Sequence, residues 1–175
     1  MATFILTVLG DDRPGLVSAL SERINKHGAS WERSQLSRLA AKFAGIVVVS
    51  VADDTYDALA ADLTRLADQG LHIVLERTDA SVGDPDPSDS VRLTLGLLGA
   101  DHPGIVAEIS ATLAAHGVNI VELDTDVRDA PMAGGSLFEA HAVLSAPPTA
   151  STEDLRALLE ALADELVVDL SLSEE

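Results

Sequence analysis

One stretch of this chain occurs twice. Gly10, Asp11, Asp12, Arg13, Pro14, Gly15, Leu16 and Val17 return as Gly99, Ala100, Asp101, His102, Pro103, Gly104, Ile105 and Val106, at a constant offset of 89 residues. Self-similarity over such a span means that each copy is one supersecondary unit. Ser21 and Ser110, His27 and His116, and Gly28 and Gly117 keep the same offset. So do the apolar sets Leu16, Val17, Leu20, Ile24 and Ile105, Val106, Ile109, Leu113, whose spacing draws one helix stripe in duplicate. Further on, Phe43 to Ser50 aligns with Phe138 to Ser145 at an offset of 95, and Tyr56, Leu59 and Leu63 align with Leu155, Leu158 and Leu162 at 99. The second copy therefore carries two insertions, one between its second and third strands and one just before its last helix.

A chain of 175 residues with 47% hydrophobic content suffices for one mid-sized domain or two small ones, and the repeat selects two of about 80 residues. No run approaches the ~18 apolar residues of a membrane span, and the first residues read as a strand rather than a basic, cleavable leader. The expectation is a cytoplasmic protein without membrane contact. Cysteine is absent, so neither a disulfide frame nor a thiolate metal site is expected.

The net charge of −18 is unevenly spread, with 8 basic and 11 acidic side chains in residues 1–79 against 3 and 18 in residues 80–175. Such a surface repels phosphate backbones, which argues against direct nucleic-acid binding. A solubilising acidic face accounts for most of this charge. A sharper expectation is that Arg33, Arg38 and Lys42, on a predicted hairpin of the first copy, meet the acidic second copy or an acidic partner.

Period and punctuation give the elements. Thr3 to Leu9 and Val91 to Leu98 read as strands; in the latter Val91, Leu93, Leu95 and Leu97 alternate with Arg92, Thr94 and Gly96. Pro14 and Pro103 are expected at the first helical position, which has no intrahelical use for an N–H. His27 with Gly28, and His116 with Gly117, are expected to end those helices. Strands follow at about 30–39 and 119–128, hairpin partners at 43–52 and 137–146, helices at 55–69 and 152–165, and closing strands at 71–77 and 167–172. The order is βαββαβ, twice: an α+β fold of two ferredoxin-like units, each a four-stranded antiparallel sheet with both helices on one face. The predicted domains are 1–79 and 91–175, joined by an acidic Pro/Asp tether at 80–90 that lacks periodicity.

This βαββαβ repeat, with a Gly-x-Asp-x-Pro-Gly-[Leu/Ile]-Val loop between first strand and first helix, resembles the ACT domain, a module that commonly senses amino acids and other small ligands. The tandem arrangement, the strand start Lys42, Phe43, Ala44, Gly45, Ile46 and the strand start Leu137, Phe138, Glu139, Ala140 together resemble the glycine cleavage system repressor group. That resemblance implies a stand-alone pair of ACT domains that binds a small amino-acid effector, glycine or serine, and controls transcription indirectly through a protein partner such as a transcription activator. It further implies dimerisation, or a higher oligomer, through ACT surfaces. An Asn often found at the start of the second strand is present as Asn119 but replaced by Ser30 in the first copy.

The loop chemistry leads to a carboxylate site by a separate route. A glycine loop running into a helix exposes backbone N–H groups at the positive end of the helix dipole, which favours an anion. Gly15 and Gly104 let that backbone approach a ligand closely. Asp12 and Asp101 would receive the ligand ammonium, and the Asn119 amide would bridge both polar ends. The candidate ligand residues are Asp12, Arg13, Pro14, Gly15 and Ser30 in copy one, and Asp101, His102, Pro103, Gly104 and Asn119 in copy two. The alternative is that the carboxylates cap a turn shaped by Pro and Gly, and nothing binds.

His27 and His116 are expected to cap the last carbonyls of their helices rather than hold a metal. His102 stands where copy one has Arg13, either touching ligand or lying in solvent. His72 and His141 fall in strands without metal-ligand spacing, so no metal and no cofactor are expected. Trp31 is expected to pack in a core or an interface. No nucleophile elbow, phosphate loop or convergent third group accompanies the loop residues, so catalysis is not expected. The competing functional reading is a ligand-independent interaction or scaffold protein.

Overall fold

The computed structural model describes residues 2–78, 90–130 and 134–174. The chain divides near residue 83 into two units. In the first, β1 (Ala2–Asp11), α1 (Leu16–Lys26), β2 (Ser30–Leu39), β3 (Lys42–Val51), α2 (Tyr56–Thr64) and β4 (Leu71–Thr78) follow in order. In the second come β5 (Val91–Ala100), α3 (Ile105–Ala115), β6 (Asn119–Asp129), β7 (Ser136–Ala146), α4 (Thr152–Leu166) and β8 (Val168–Glu174). The sheets run β2-β3-β1-β4 and β6-β7-β5-β8, with every pair antiparallel, which is the predicted α+β arrangement. Of the predicted tether at 80–90, all but Ser90 lies outside the described residues.

Strand alternation builds each core. Along β1 the odd face, with Thr3 and Thr7, is turned away while Ala2, Phe4, Leu6 and Val8 are buried. Those residues meet Leu16, Leu20 and Ile24 of α1 and Leu59 and Leu63 of α2, so one sheet face is covered and the other left open. The Phe4 and Tyr56 rings stack with centroids 4.2 Å apart. In the second unit Leu93, Leu95 and Leu97 meet Ile105, Ile109 and Leu113 in the same way. Both edge strands next to the first helices are bulged at matching places, between Trp31 and Arg33 and between Ile120 and Glu122. Trp31 is partly buried and packs against the first core, as expected.

Helix ends differ from the sequence reading in three ways. Pro14 and Pro103 do not open helices. Each precedes a left-handed glycine, Gly15 (φ 89°, ψ −1°) or Gly104 (φ 104°, ψ −14°), and the helix starts one residue later. Those angles belong to the third residue of a type II turn, for which proline is a suitable second. The helix expected over 55–69 is α-helical only to Thr64 and then tightens into a 3-10 turn, Arg65–Gln69. His27 does not cap α1 with its ring. The last carbonyls are taken instead by the N–H groups of Gly28 (to Asn25, 2.9 Å) and Ala29 (to Ile24, 3.2 Å), a Schellman pair. Gly117 and Val118 repeat that pair at the end of α3, bonding Ala114 and Leu113 at 3.0 Å each.

Candidate ligand-binding loops

The loops after β1 and β5 are the points where the repeated motif becomes three-dimensional. The first glycine of each motif serves the sheet: a Cβ on Gly10 would lie 2.7 Å from the Gly70 carbonyl, and one on Gly99 2.5 Å from Val168 Cγ1. The second glycine turns the chain into the helix. Neither α1 nor α3 has a side-chain N-cap, whereas Ser151 Oγ accepts from the Asp154 N–H at the start of α4. The first N–H groups of α1 and α3 therefore point out of the helix without a capping side chain, at the positive end of each dipole.

In copy one these groups border a pocket of about 320 Å³ lined by Asp12, Arg13, Gly15, Val17, Ser18 and Phe43. The Asp12 N–H donates to the Ala41 carbonyl (2.9 Å), and Arg38 stands 3.6 Å from the Asp12 carboxylate. Lys42 bonds Asp11 and holds its carboxyl below the usual range. Arg38 and Lys42 thus find acidic groups within their own domain, rather than only in the second copy or a partner. Arg13 donates to the Gln69 carbonyl at the end of the 3-10 turn.

Copy two uses the same frame with different side chains. The Asp101 N–H donates to the Ser136 carbonyl (2.8 Å), and His102 Nε2 lies 3.2 Å from the Leu166 carbonyl at the end of α4. Arg13 and His102, at matching positions, thus each reach the carbonyl end of their domain's second helical segment. Glu108 approaches the loop as well: a Cβ on Gly104 would lie 3.3 Å from its Oε1.

Ser30 and Asn119 are not beside these loops within their own domains. Ser30 pairs with Ser50, which pairs with Thr3, whereas Asp11 at the loop end pairs with Lys42. Eight residues of strand separate Thr3 from Asp11, roughly 26 Å at ~3.3 Å per residue. Asn119, opposite Ser145, has the same place in copy two.

The structure also assembles a group that the sequence reading did not single out. Asp62 on α2 is only 3% exposed, and Arg23, Lys26 (3.1 Å) and His27 (3.0 Å) donate to it, with Arg65 at 3.9 Å. The His27 bond, then those of Lys26 and Arg23, hold the Asp62 carboxyl far below the usual carboxylate range against the opposing effect of burial. A signal was available: a carboxylate falls within the apolar spacing of Leu59, Leu63 and Leu66, while three basic groups share one face of α1. His116, the repeat partner of His27, has no such acid and bonds the Thr112 carbonyl at 2.9 Å, as expected of a cap. Among the described residues no three His, Cys, Asp or Glu side chains gather as a metal ion would require.

Family models described as "ACT domain" match residues 2–76 and again residues 93–166. The chain belongs to the ACT-domain family, with two copies in tandem. This tandem ACT protein is 28% identical over 163 residues to the glycine cleavage system transcriptional repressor of Escherichia coli K12, covering 93% of this chain and 84% of that one. It is also similar to the crystal structure of an unknown protein from Galdieria sulphuraria (32% identity, TM-score 0.80, covering 99% of this chain and 98% of that one). It shares its fold with a putative glycine cleavage system transcriptional repressor (16% identity, TM-score 0.75, covering 99% and 97%). Family and relatives together support a regulatory, amino-acid-sensing role for the tandem ACT protein. No helix among its described residues is long and apolar enough to cross a membrane.

Proposed function

We propose that this chain is a glycine cleavage system repressor-like regulator that binds a small amino acid, glycine or serine, and acts on transcription through a protein partner. The observation that carries this reading is the pair of uncapped helix N-termini behind left-handed Gly15 and Gly104. Backbone N–H groups there suit a carboxylate. Asp12 and Asp101 supply acceptors for the ammonium, with Arg13, Pro14, His102 and Pro103 shaping the loops. Ser30 and Asn119, which open the second strand of each copy at the far end of its sheet from the loop, are the remaining candidates for ligand contact. Ligand would then favour the state of the protein in which its own contacts are better. Control through a protein partner fits a chain of net charge −18. The proposed domains are 1–79 and 91–175 with a tether at 80–90, in a cytoplasmic homodimer or higher oligomer. Catalysis has no part in this reading: Asp12 faces Arg38, and His102 reaches a helix-end carbonyl.

One observation favours the scaffold reading. Arg13 and His102 are both bonded to carbonyls of their own domains, so the variable loop position has a purely structural use. A thermal-shift screen against the twenty amino acids separates the two. Ligand at about 100 times its dissociation constant adds about 2.7 kcal/mol, or several degrees at about 2–4 °C per kcal/mol. The sensor reading expects a shift with glycine or serine that Asn119→Ala and Asp101→Ala each diminish. A flat screen favours the scaffold, and a shift untouched by both substitutions removes the site described here.

A further inference from the structure

The open sheet faces of the two copies differ in kind. Strand pairing sets residues in rows across each sheet, and one row of copy one reads Arg33, Val48, Ile5, Glu76. The next row holds Ile46 and Val74, and the third Ala44 and Leu9. Ile46 (50%), Val74 (57%) and Leu9 (49%) are exposed although large and apolar, so the uncharged middle of this face meets water. Copy two has His141 and Ser171 where Ile46 and Val74 stand, and its third row reads Asp126, Glu139, Leu98, Asp169. In a chain of net charge −18, the apolar open face belongs to copy one.

The ends of the first row tell what such a face fits. A half-turn about an axis along the strands lays the face on a second copy of itself, with every row reversed. Arg33 then stands over Glu76 of the second chain, and Val48 over its Ile5. Within one chain Arg33 and Glu76 sit on opposite edges of the sheet, three strand spacings or about 14 Å apart, too far for contact. Packed sheets lie about 10 Å apart, a gap that an Arg and a Glu bridge from both sides. Laid on itself in this way, the face of copy two would set Asp126 against Asp169, a contact of like charges. Four strands ~4.8 Å apart and the eight residues of β4 at ~3.3 Å each give a face of about 500 Å². Two such faces together bury about 1,000 Å², the least that a specific pair needs.

Resting on the homo-oligomer in the reading above, we infer that two chains pair through the open sheet faces of their first copies, about a two-fold axis along the strands, with Arg33 of each chain on Glu76 of the other. The open face of copy two takes no part in this contact.

Sedimentation equilibrium on the full chain tests this, with circular dichroism to show that each variant is folded. The expected wild type is a dimer. Ile46→Asp and Val74→Asp, each at a half-exposed site, should raise its dissociation constant by about a hundredfold, because the two-fold repeats every lost contact. Arg33→Glu and Glu76→Arg should each weaken the dimer by about tenfold, whereas the double change should restore it. The two sites are too far apart within one chain to compensate each other there. His141→Asp, at the site matching Ile46, should leave the dimer unchanged. A dimer insensitive to Ile46→Asp and Val74→Asp overturns the inference and leaves the homo-oligomer standing. So does a double charge change that fails to restore what the single changes lose. A wild-type monomer overturns both.

Discussion

His27 Nε2 and Asp62 Oδ2 lie 3.0 Å apart, a bond that fastens the end of α1 to the last turn of α2. Arg23 and Lys26 reach the same carboxylate, so a nearly buried charge is held by groups on one face of one helix. Removing a partner from such a group is more damaging than never having had it, because the remaining charges are left unmatched.

Acid should therefore loosen the first domain. The folded Asp62 carboxyl is depressed by its bonds to His27, Lys26 and Arg23, so its stabilising contribution is complete above the unfolded value of about 3.9 and is lost as pH falls below that toward the folded value. Asp62→Asn should lower the melting temperature at neutral pH. The gap between mutant and wild type should close as pH is taken below about 4. Melting curves across pH check both statements, and a gap independent of pH would contradict them.

Gly10→Ala and Gly99→Ala should each destabilise the protein, by roughly 1–3 kcal/mol if the neighbouring strand gives way locally. A methyl on Gly99 would sit 2.8 Å from the Val168 Cα, and one on Gly10 2.7 Å from the Gly70 oxygen, both backbone atoms with little freedom to retreat. Urea midpoints measure the loss.

Val167→Gly should act in the opposite direction. Val167 ends α4 at φ 57° and is 77% exposed, whereas Gly70 has the corresponding duty in copy one at φ 77°. A β-branched residue in that region costs about 1–2 kcal/mol and loses little packing when removed. The expected gain is about 2–4 °C in melting temperature for each kcal/mol recovered.

The β2–β3 turn offers a second such gain. Leu39 pairs with Lys42, leaving Ala40 (φ 48°) and Ala41 (φ 64°) as a two-residue loop with both residues left-handed. That is the type I′ pattern, which Asn followed by Gly satisfies with less strain. The double change Ala40→Asn with Ala41→Gly should raise stability by about 1 kcal/mol, provided the Asp12 N–H keeps its bond to residue 41. Denaturant titration detects a change of that size.

The turn shows where local reading stops. Ala40 and Ala41 carry no turn signature, and the hairpin was legible only because strands on both sides have the right period. The same holds at α2, where neither Thr64 nor Arg65 announces the change from α to 3-10 geometry. Proline suits a helix start, but the left-handed Gly15 behind Pro14 moves the start by two residues. In the loops the second glycine of the motif is needed for its left-handed backbone, φ 89° at Gly15 and 104° at Gly104. The use of Gly10 and Gly99 was not legible, since the atoms that forbid a Cβ belong to strands some 60 to 70 residues later.

The sequence by itself determined the duplication, the βαββαβ order and the apolar faces, because hydrophobic period and a constant offset are properties of neighbours along the chain. Tertiary structure alone decided which of those neighbours meet. It set His27 on Asp62 but His116 on its own helix, and put Ser30 and Asn119 at the far end from the loops. It packed Trp31 against the core of copy one. Each outcome depends on strand register and on side chains distant in sequence, where packing and charge, rather than local propensity, determine the partner.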